Sequence, residues 1–387
     1  MKQAKVVTVA AALAAVIGLV GCSGPSTPAP QTPDASPSPV ESPSGNEGSP
    51  DGETGEPVAL ADLDLLAAPR DYVGPSTAVL PDQTVNQLVE PGEPQLPATV
   101  TSYDRGGEID ITVTDTSRVI ALGMSSNIAS LVYGLGFGDS LVGRDISTDF
   151  AGTEHLPVVT HNGHSIDAES ILKLDPSLII TDGSVGPLDV LLQLRDVGIP
   201  VVMVERDPSF EGTYRNAEQV GAALGVPEAG VELANILRAE VEAKVAEIAQ
   251  ITPANSEDRV RMAFLYLRGS AGIYYLFGSE SGVDALVPAL GGIDAAGEAG
   301  WNGMQPVNDE ALVLLNPDLI FVMSGGLESM GGIDGMLETL PALALTNAGQ
   351  NRRFVDMDDD EILGFGPRSA EILDALARAV YAPDSLG

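Results

Sequence analysis

The sequence predicts an α/β protein of two similar Rossmann-like lobes, joined by a single long helix and preceded by a disordered N-terminal tether. Three observations carry that prediction. From Arg118 onward, short β-branched runs alternate with helical stretches, as in sheets assembled from strand–helix units. One block of sequence occurs twice, as Asp167-Ala-Glu-Ser-Ile-Leu-Lys-Leu-Asp-Pro-Ser-Leu-Ile-Ile and as Asn308-Asp-Glu-Ala-Leu-Val-Leu-Leu-Asn-Pro-Asp-Leu-Ile-Phe. A single long helical pattern lies between the two copies.

The elements follow in chain order. Lys2 and Lys5 precede an apolar run from Val6 to Val20, too short for an ordinary transmembrane helix and suited to a signal segment over 1–21. It ends Leu19-Val20-Gly21-Cys22, which resembles a lipobox. Cys22, the only cysteine of the chain, is therefore expected to become the acylated N-terminus. Each buried CH₂ of an acyl chain contributes about 0.8 kcal/mol, so two chains hold a protein at a membrane. Residues 23–57 contain nine prolines among Ser, Thr, Gly and Glu. Such a segment cannot offset its ordering entropy by burial. The whole of 22–115 is expected to form an acidic, Pro-rich linker, with 58–115 loosely ordered apart from a short strand near Ile111–Thr114.

The first lobe is expected over 116–226, with strands at Val119–Leu122, Leu178–Ile180 and Val201–Val204 and an amphipathic helix over Leu188–Val197. The linking segment, 227–253, centres on a helix over 228–250. Ala234, Leu237, Val241, Val245 and Ile248 recur at spacings of three and four, and Pro227 and Pro253 bracket the pattern. The second lobe, 254–387, has strands at Val260–Tyr266 and Leu319–Val322. In each copy of the repeat a capping Asp or Asn precedes a first-turn Glu, an apolar helix, a Pro turn and a buried strand. Two lobes on one helix leave a cleft between them, a common ligand site.

Composition removes several function classes. The chain of 387 residues has 55 acidic and 19 basic residues and a formal net charge of −36. Nucleic-acid binding needs clustered Lys and Arg, and charge alone cannot dock this chain on an anionic membrane. One cysteine excludes an internal disulfide framework and a four-cysteine metal site. No Gly-x-Ser-x-Gly elbow, Walker loop or dinucleotide fingerprint is present. Gly134 to Gly138 reads as a helix end and turn, and Asp358 to Glu361 as a solvated acidic loop.

Two constellations could carry chemistry. His155, His161 and His164 fall within ten residues, in a loop containing Pro157 and Gly163. They could be solvated imidazoles, or could join a carboxylate from elsewhere in a zinc site, which would make the chain a surface zinc-dependent enzyme. Tyr266 and Arg268 lie two apart in a strand pattern, so both face one way. A cation beside a phenol favours the phenolate, and tyrosine can ligate haem iron. From spacing alone, a strand-end tyrosine whose arginine pairs with a nearby acid is the plainer reading. Met304, Met323 and Met330 are adaptable apolar side chains that fit either a core or a ligand wall, as does Trp301. Glu169 and Glu310 sit at matching places in the repeat, where a first-turn acid stabilises a helix.

A lipobox, a Pro-rich tether, two α/β lobes and one linking helix together resemble the helical-backbone class of ABC-transporter substrate-binding proteins, which take up siderophores, cobalamin and haem. The resemblance covers residues 116–387. Phe264-Leu-Tyr-Leu-Arg-Gly269, Asn162-Gly-His164 before Asp167-Ala-Glu169, and Met323-Ser-Gly-Gly-Leu-Glu-Ser-Met-Gly-Gly-Ile-Asp-Gly335 are similar to the haem-binding lipoproteins of Gram-positive haem importers. The resemblance implies a protein with no catalytic activity, monomeric, and anchored on the outer face of the cytoplasmic membrane. It implies haem as the cargo, His164 and Tyr266 as axial ligands, and Arg268 as the hydrogen-bond partner of the tyrosine. Trp301, Met304, Met323 and Met330 become candidate pocket residues, although the family often has an aromatic residue near position 304. Glu169 and Glu310 become docking residues for arginines on a permease dimer that works with its ATPase. A ferric siderophore or cobalamin as cargo is the nearest alternative.

Overall fold

A computed structural model describes residues 58–161 and 163–385. The signal segment, Cys22 and the Pro-rich stretch to residue 57 lie outside the described residues. Among the described residues no helix is long and apolar enough to cross a membrane.

The first lobe is built on a four-stranded parallel sheet in the order Leu141–Arg144, Val119–Leu122, Leu178–Thr181, Val201–Met203. Every side chain of Val119–Leu122 and Leu178–Thr181 is buried, as continuous β-branched runs covered on both faces require. The linking helix spans Pro227–Ile251, with proline in its first turn. It crosses helix Phe210–Ala223 at a pair of glycines. A Cβ on Gly221 would stand 2.6 Å from the Cα of Gly230, so only glycine allows the two backbones this close.

The second lobe departs from an all-parallel sheet. Strands Phe354–Met357, Leu319–Met323 and Arg261–Arg268 are parallel neighbours, but Arg261–Arg268 then turns through Gly269–Ala271 and returns as the antiparallel strand Ile273–Phe277. Gly272 makes that return possible at φ +63°. Strand Met304–Pro306 extends the antiparallel side.

The repeat is visible atom by atom. Asp167 caps helix Ala168–Lys173 by accepting from the Glu169 N–H, and Asn308 caps helix Asp309–Leu315 by accepting from the Ala311 N–H. Asp175 and Asn316 hold equivalent left-handed positions before their prolines, at φ +46° and +39°, where short polar side chains are tolerated best. One residue past each proline, a side chain pins the start of the neighbouring strand. Ser177 Oγ accepts from the Arg118 N–H at 3.1 Å, and Asp318 Oδ2 from the Arg261 N–H at 3.0 Å.

Residues 58–115 overturn the expectation of a loose linker. Leu60 is fully buried, and its N–H donates to Glu247 on the linking helix. Arg70 pairs with the buried Asp318 at 2.8 Å. Ser76–Thr77 adds a parallel edge strand beside Phe354–Met357, secured by Arg353, which donates to Ser76 Oγ and to the carbonyls of Ala379 and Val380. The chain then crosses to the first lobe, where Leu88 and Val89 donate to the Gly134 carbonyl. The hairpin Ala98–Asp104/Gly107–Val113 docks there, with Ser102 Oγ accepting from the Met203 N–H and Asp104 pairing with Arg195 at 2.6 Å. The hairpin pairs locally and contains the strand expected near Ile111–Thr114, whereas Leu60, Arg70 and Ser76 find their partners far along the chain. One continuous core runs through the inner faces of both sheets, the linking helix and helix Ser369–Tyr381, while each lobe keeps a second cluster on its outer face.

Candidate ligand cleft

The first lobe presents His164 from the turn before Ser165–Ile166, a two-residue strand that pairs with Thr160–His161. The Gly186 N–H donates to the His164 carbonyl at 3.3 Å and anchors that turn to the loop after Leu178–Thr181. The ring is half-buried, and its Nδ1 is enclosed without a hydrogen-bond partner. Burial, and then the Arg268 guanidinium across the cleft, hold this imidazole below its ordinary pKa. A neutral imidazole with a free ring nitrogen is the form that ligates a metal. The Arg268 charge of the other lobe is thus within electrostatic reach of His164.

Tyr266 and Arg268 lie near the C-terminal end of strand Arg261–Arg268. The Tyr266 ring stacks on Phe277 at 6.1 Å between centroids, at an interplanar angle of 22°. The Arg268 guanidinium carbon stands 5.9 Å from the Tyr266 ring centroid and makes no hydrogen bond to the phenol in this structure. Asp359 lies close enough to feel the same guanidinium. Its carboxylate accepts from the Gly325 N–H at 2.7 Å, in the Gly-rich turn after Met323.

The other candidates separate. His161 Nε2 donates to Asp167 at 2.8 Å, and hydrogen bonds from Ser170 and His161 push that carboxyl down to about 2. His155 is exposed. The three histidines do not converge, and among the described residues no group of three or more His, Cys, Asp or Glu could hold a metal ion. Met323 is half-buried beside the cleft core. Met330 is 9% exposed and belongs to the outer core of the second lobe, its sulfur packed under Gly269. Trp301 packs against that same outer core, with its indole N–H on the Leu276 carbonyl at 3.2 Å. Met304 is 57% exposed and pairs with Phe277 on the antiparallel edge. Glu169 and Glu310 are both exposed at the tips of their matched helices.

Sequence reasoning read 358–361 as a solvated loop, but only Asp358 and Asp359 are exposed. Asp360 is pushed up to about 7, first by burial and then by Asp149 of the other lobe. Asp145, fully buried, is pushed up to about 6 by burial, against hydrogen bonds from the Gly123 N–H and from Thr148. Asn216 was also missed. Its signal was a polar residue on the face of helix Phe210–Ala223 that buries Thr213, Ala217 and Val220.

A cleft between two α/β lobes that each turn polar groups toward it is the geometry of a ligand-binding protein. Residues 122–361 match the family described as "Periplasmic binding protein", and the chain belongs to that family. Among solved structures it is similar to the heme binding protein HmuT, with 36% identity, a TM-score of 0.74 and coverage of 81% of this chain and 99% of that one. HmuT has also been solved with an arginine, a histidine or a tyrosine replaced by alanine. A periplasmic heme-binding protein, RhuT from Roseiflexus sp. RS-1, shares 34% identity at a TM-score of 0.61, covering 70% of this chain and 99% of that one. The uncharacterized ABC transporter substrate-binding lipoprotein YvrC of Bacillus subtilis (strain 168) is 27% identical over 289 residues, 73% of this chain and 86% of its own.

Proposed function

We propose that this protein captures ferric haem in the interlobe cleft and delivers it to an ABC permease. The observation that carries the reading is a half-buried His164 of one lobe within electrostatic reach of Arg268, whose guanidinium stands beside the Tyr266 ring of the opposite lobe. His164 supplies a neutral nitrogen donor and Tyr266 an oxygen donor that suits Fe(III). Arg268 stands beside the phenol ring, where its guanidinium can donate a hydrogen bond to an iron-bound phenol oxygen. The same three residue types are those altered in the solved variants of HmuT. Met323 is the pocket methionine best placed for the porphyrin face. Glu169 and Glu310, exposed on equivalent helices, suit docking on a two-fold permease driven by its ATPase.

The segmentation proposed is a signal over 1–21, an acylated Cys22, a tether to residue 57 and a folded body beyond it, acting as a monomer on the outer face of the cytoplasmic membrane. Likeness to a substrate-binding lipoprotein supports that placement. The test of cargo is a spectrophotometric titration with haemin, a ferric siderophore and cobalamin in parallel. Haemin is expected to saturate the protein one-to-one and give a Soret band. Tight binding of either other ligand, with no Soret band from haemin, would overturn the assignment.

A further inference from the structure

A crevice of about 110 Å³ lies over the C-terminal ends of the first lobe's strands, with Leu363 and Phe365 of the second lobe in its wall. The order of that sheet reverses between Val119–Leu122 and Leu178–Thr181. Ligands of open parallel sheets settle outside the strand ends at such a reversal. Ser125 follows the first of these strands and Ser184 the second, and both line the crevice. Arg206 follows Val201–Met203, and Phe365 of the second lobe closes the opposite side.

Two of the lining side chains carry polar groups that no other group of the described residues engages. Asn216 is 3% exposed, yet its Oδ1 has no hydrogen-bond partner, a condition folded proteins rarely leave standing. Arg206 makes no ion pair among the described residues, unlike its neighbour Arg215, which Glu205 and Asp207 hold. The two acids at the crevice are already engaged. Asp207 pairs with Arg215, and Asp182 accepts from both the N–H and the hydroxyl of Ser184. The groups left free are a guanidinium, which offers parallel N–H donors to a carboxylate, and a primary amide, which turned about its last bond offers two more.

The crevice also adjoins the iron-binding side. Ser184 lies two residues from Gly186, whose N–H holds the His164 carbonyl, and two extended residues span at most about 7 Å. We propose that Arg206 and Asn216 receive a propionate carboxylate of the captured porphyrin and so fix its orientation in the cleft. This inference rests on the haem reading above.

The test is titration of the intact protein, of Arg206→Gln and of Arg206→Lys with haemin and with the dimethyl ester of the same iron porphyrin. Arg206 is exposed, so neither variant threatens folding. The wild type is expected to bind the free acid more tightly than the ester. Arg206→Gln should weaken the free acid by about tenfold, the scale of one charge-assisted hydrogen bond, leave the ester unchanged and keep the Soret maximum where it was. Arg206→Lys should recover part of the loss. Equal weakening of acid and ester, or no weakening of either, overturns the subsite while the haem reading stands. A wild type that binds neither porphyrin overturns both.

Discussion

The two lobes carry the same repeated unit and use it differently. Each copy caps a short helix, turns through a left-handed residue and a proline, and pins its neighbouring strand with the next side chain. The first lobe then continues as an all-parallel sheet and offers its donor, His164, from a turn held by Gly186. The second lobe folds back through Gly272 and offers Tyr266 from a strand, braced by Phe277. The duplicated parts build the scaffold, and the proposed ligands come from the parts that are not duplicated. A clamp with unlike donors on its two jaws can therefore arise from like lobes.

The sharpest way to break this comparison is to remove a donor from each side. Losing an outer-shell partner of a metal site costs about 10- to 100-fold in affinity. Tyr266→Phe or His164→Ala should therefore each weaken haem by more than about 100-fold, with a changed Soret maximum in titration. Arg268→Gln should fall within the outer-shell range and leave His164 ligation intact.

The pinning residues sharpen the comparison through stability. Ser177 holds one strand, but Asp318 also holds Arg70 of the N-terminal segment and the amide of Asn347. Asp318→Ala leaves the partly exposed Arg70 guanidinium without its carboxylate and the Arg261 N–H and Asn347 amide short of a partner, at a cost of about 2–3 kcal/mol. Ser177→Ala should cost about 1 kcal/mol. Denaturant midpoints at constant m-value check the order.

Much of this was legible in the sequence for a physical reason. The repeat, the capping residues and the helix bracketed by Pro227 and Pro253 depend on local periodicity and on backbone preferences, which neighbouring residues set. Apart from the strand that includes Ile111–Val113, the order of 58–115 was not legible, because Leu60, Arg70, Ser76 and Ser102 are each held by partners more than one hundred residues away. The return of the chain at Gly272 is a different case, because its signal is local: Gly269 to Gly272 separates two β-rich runs, and Ile273–Phe277 pairs with the strand just before it. At the site, the Tyr266–Arg268 spacing was readable. The pairing of His161 with Asp167, which takes that histidine out of any metal set, required the folded turn.

The acids at the interlobe boundary offer a smaller effect that depends on pH. Burial and Asp149 raise Asp360 to about 7 from the usual carboxylate range. The folded state then binds more protons than the unfolded one between about pH 4 and pH 7, so stability falls as pH rises across that window. Asp360→Asn should flatten this decline and raise Tm by a few degrees at pH 8 while changing little at pH 4, as thermal melts across pH would record.

The two glutamates proposed for docking differ least. Glu169 is joined by Lys173 at 3.1 Å, four residues on. Glu310 has no ion pair among the described residues, and the matching position holds the exposed Leu314. Exposed charge pairs contribute about 0.2–1 kcal/mol, so each Glu→Ala variant should slow haem delivery to a reconstituted permease by about two- to five-fold. Glu310→Ala should have the larger effect, and haem affinity should be unchanged in both.

The central claim is that one donor from each lobe holds the iron. The most direct measurement is the absorption spectrum of the haemin-loaded protein beside that of the double variant His164→Ala/Tyr266→Phe. Loss of the wild-type Soret band and of tight binding in the double variant is the predicted result. An unchanged band at unchanged affinity would contradict it.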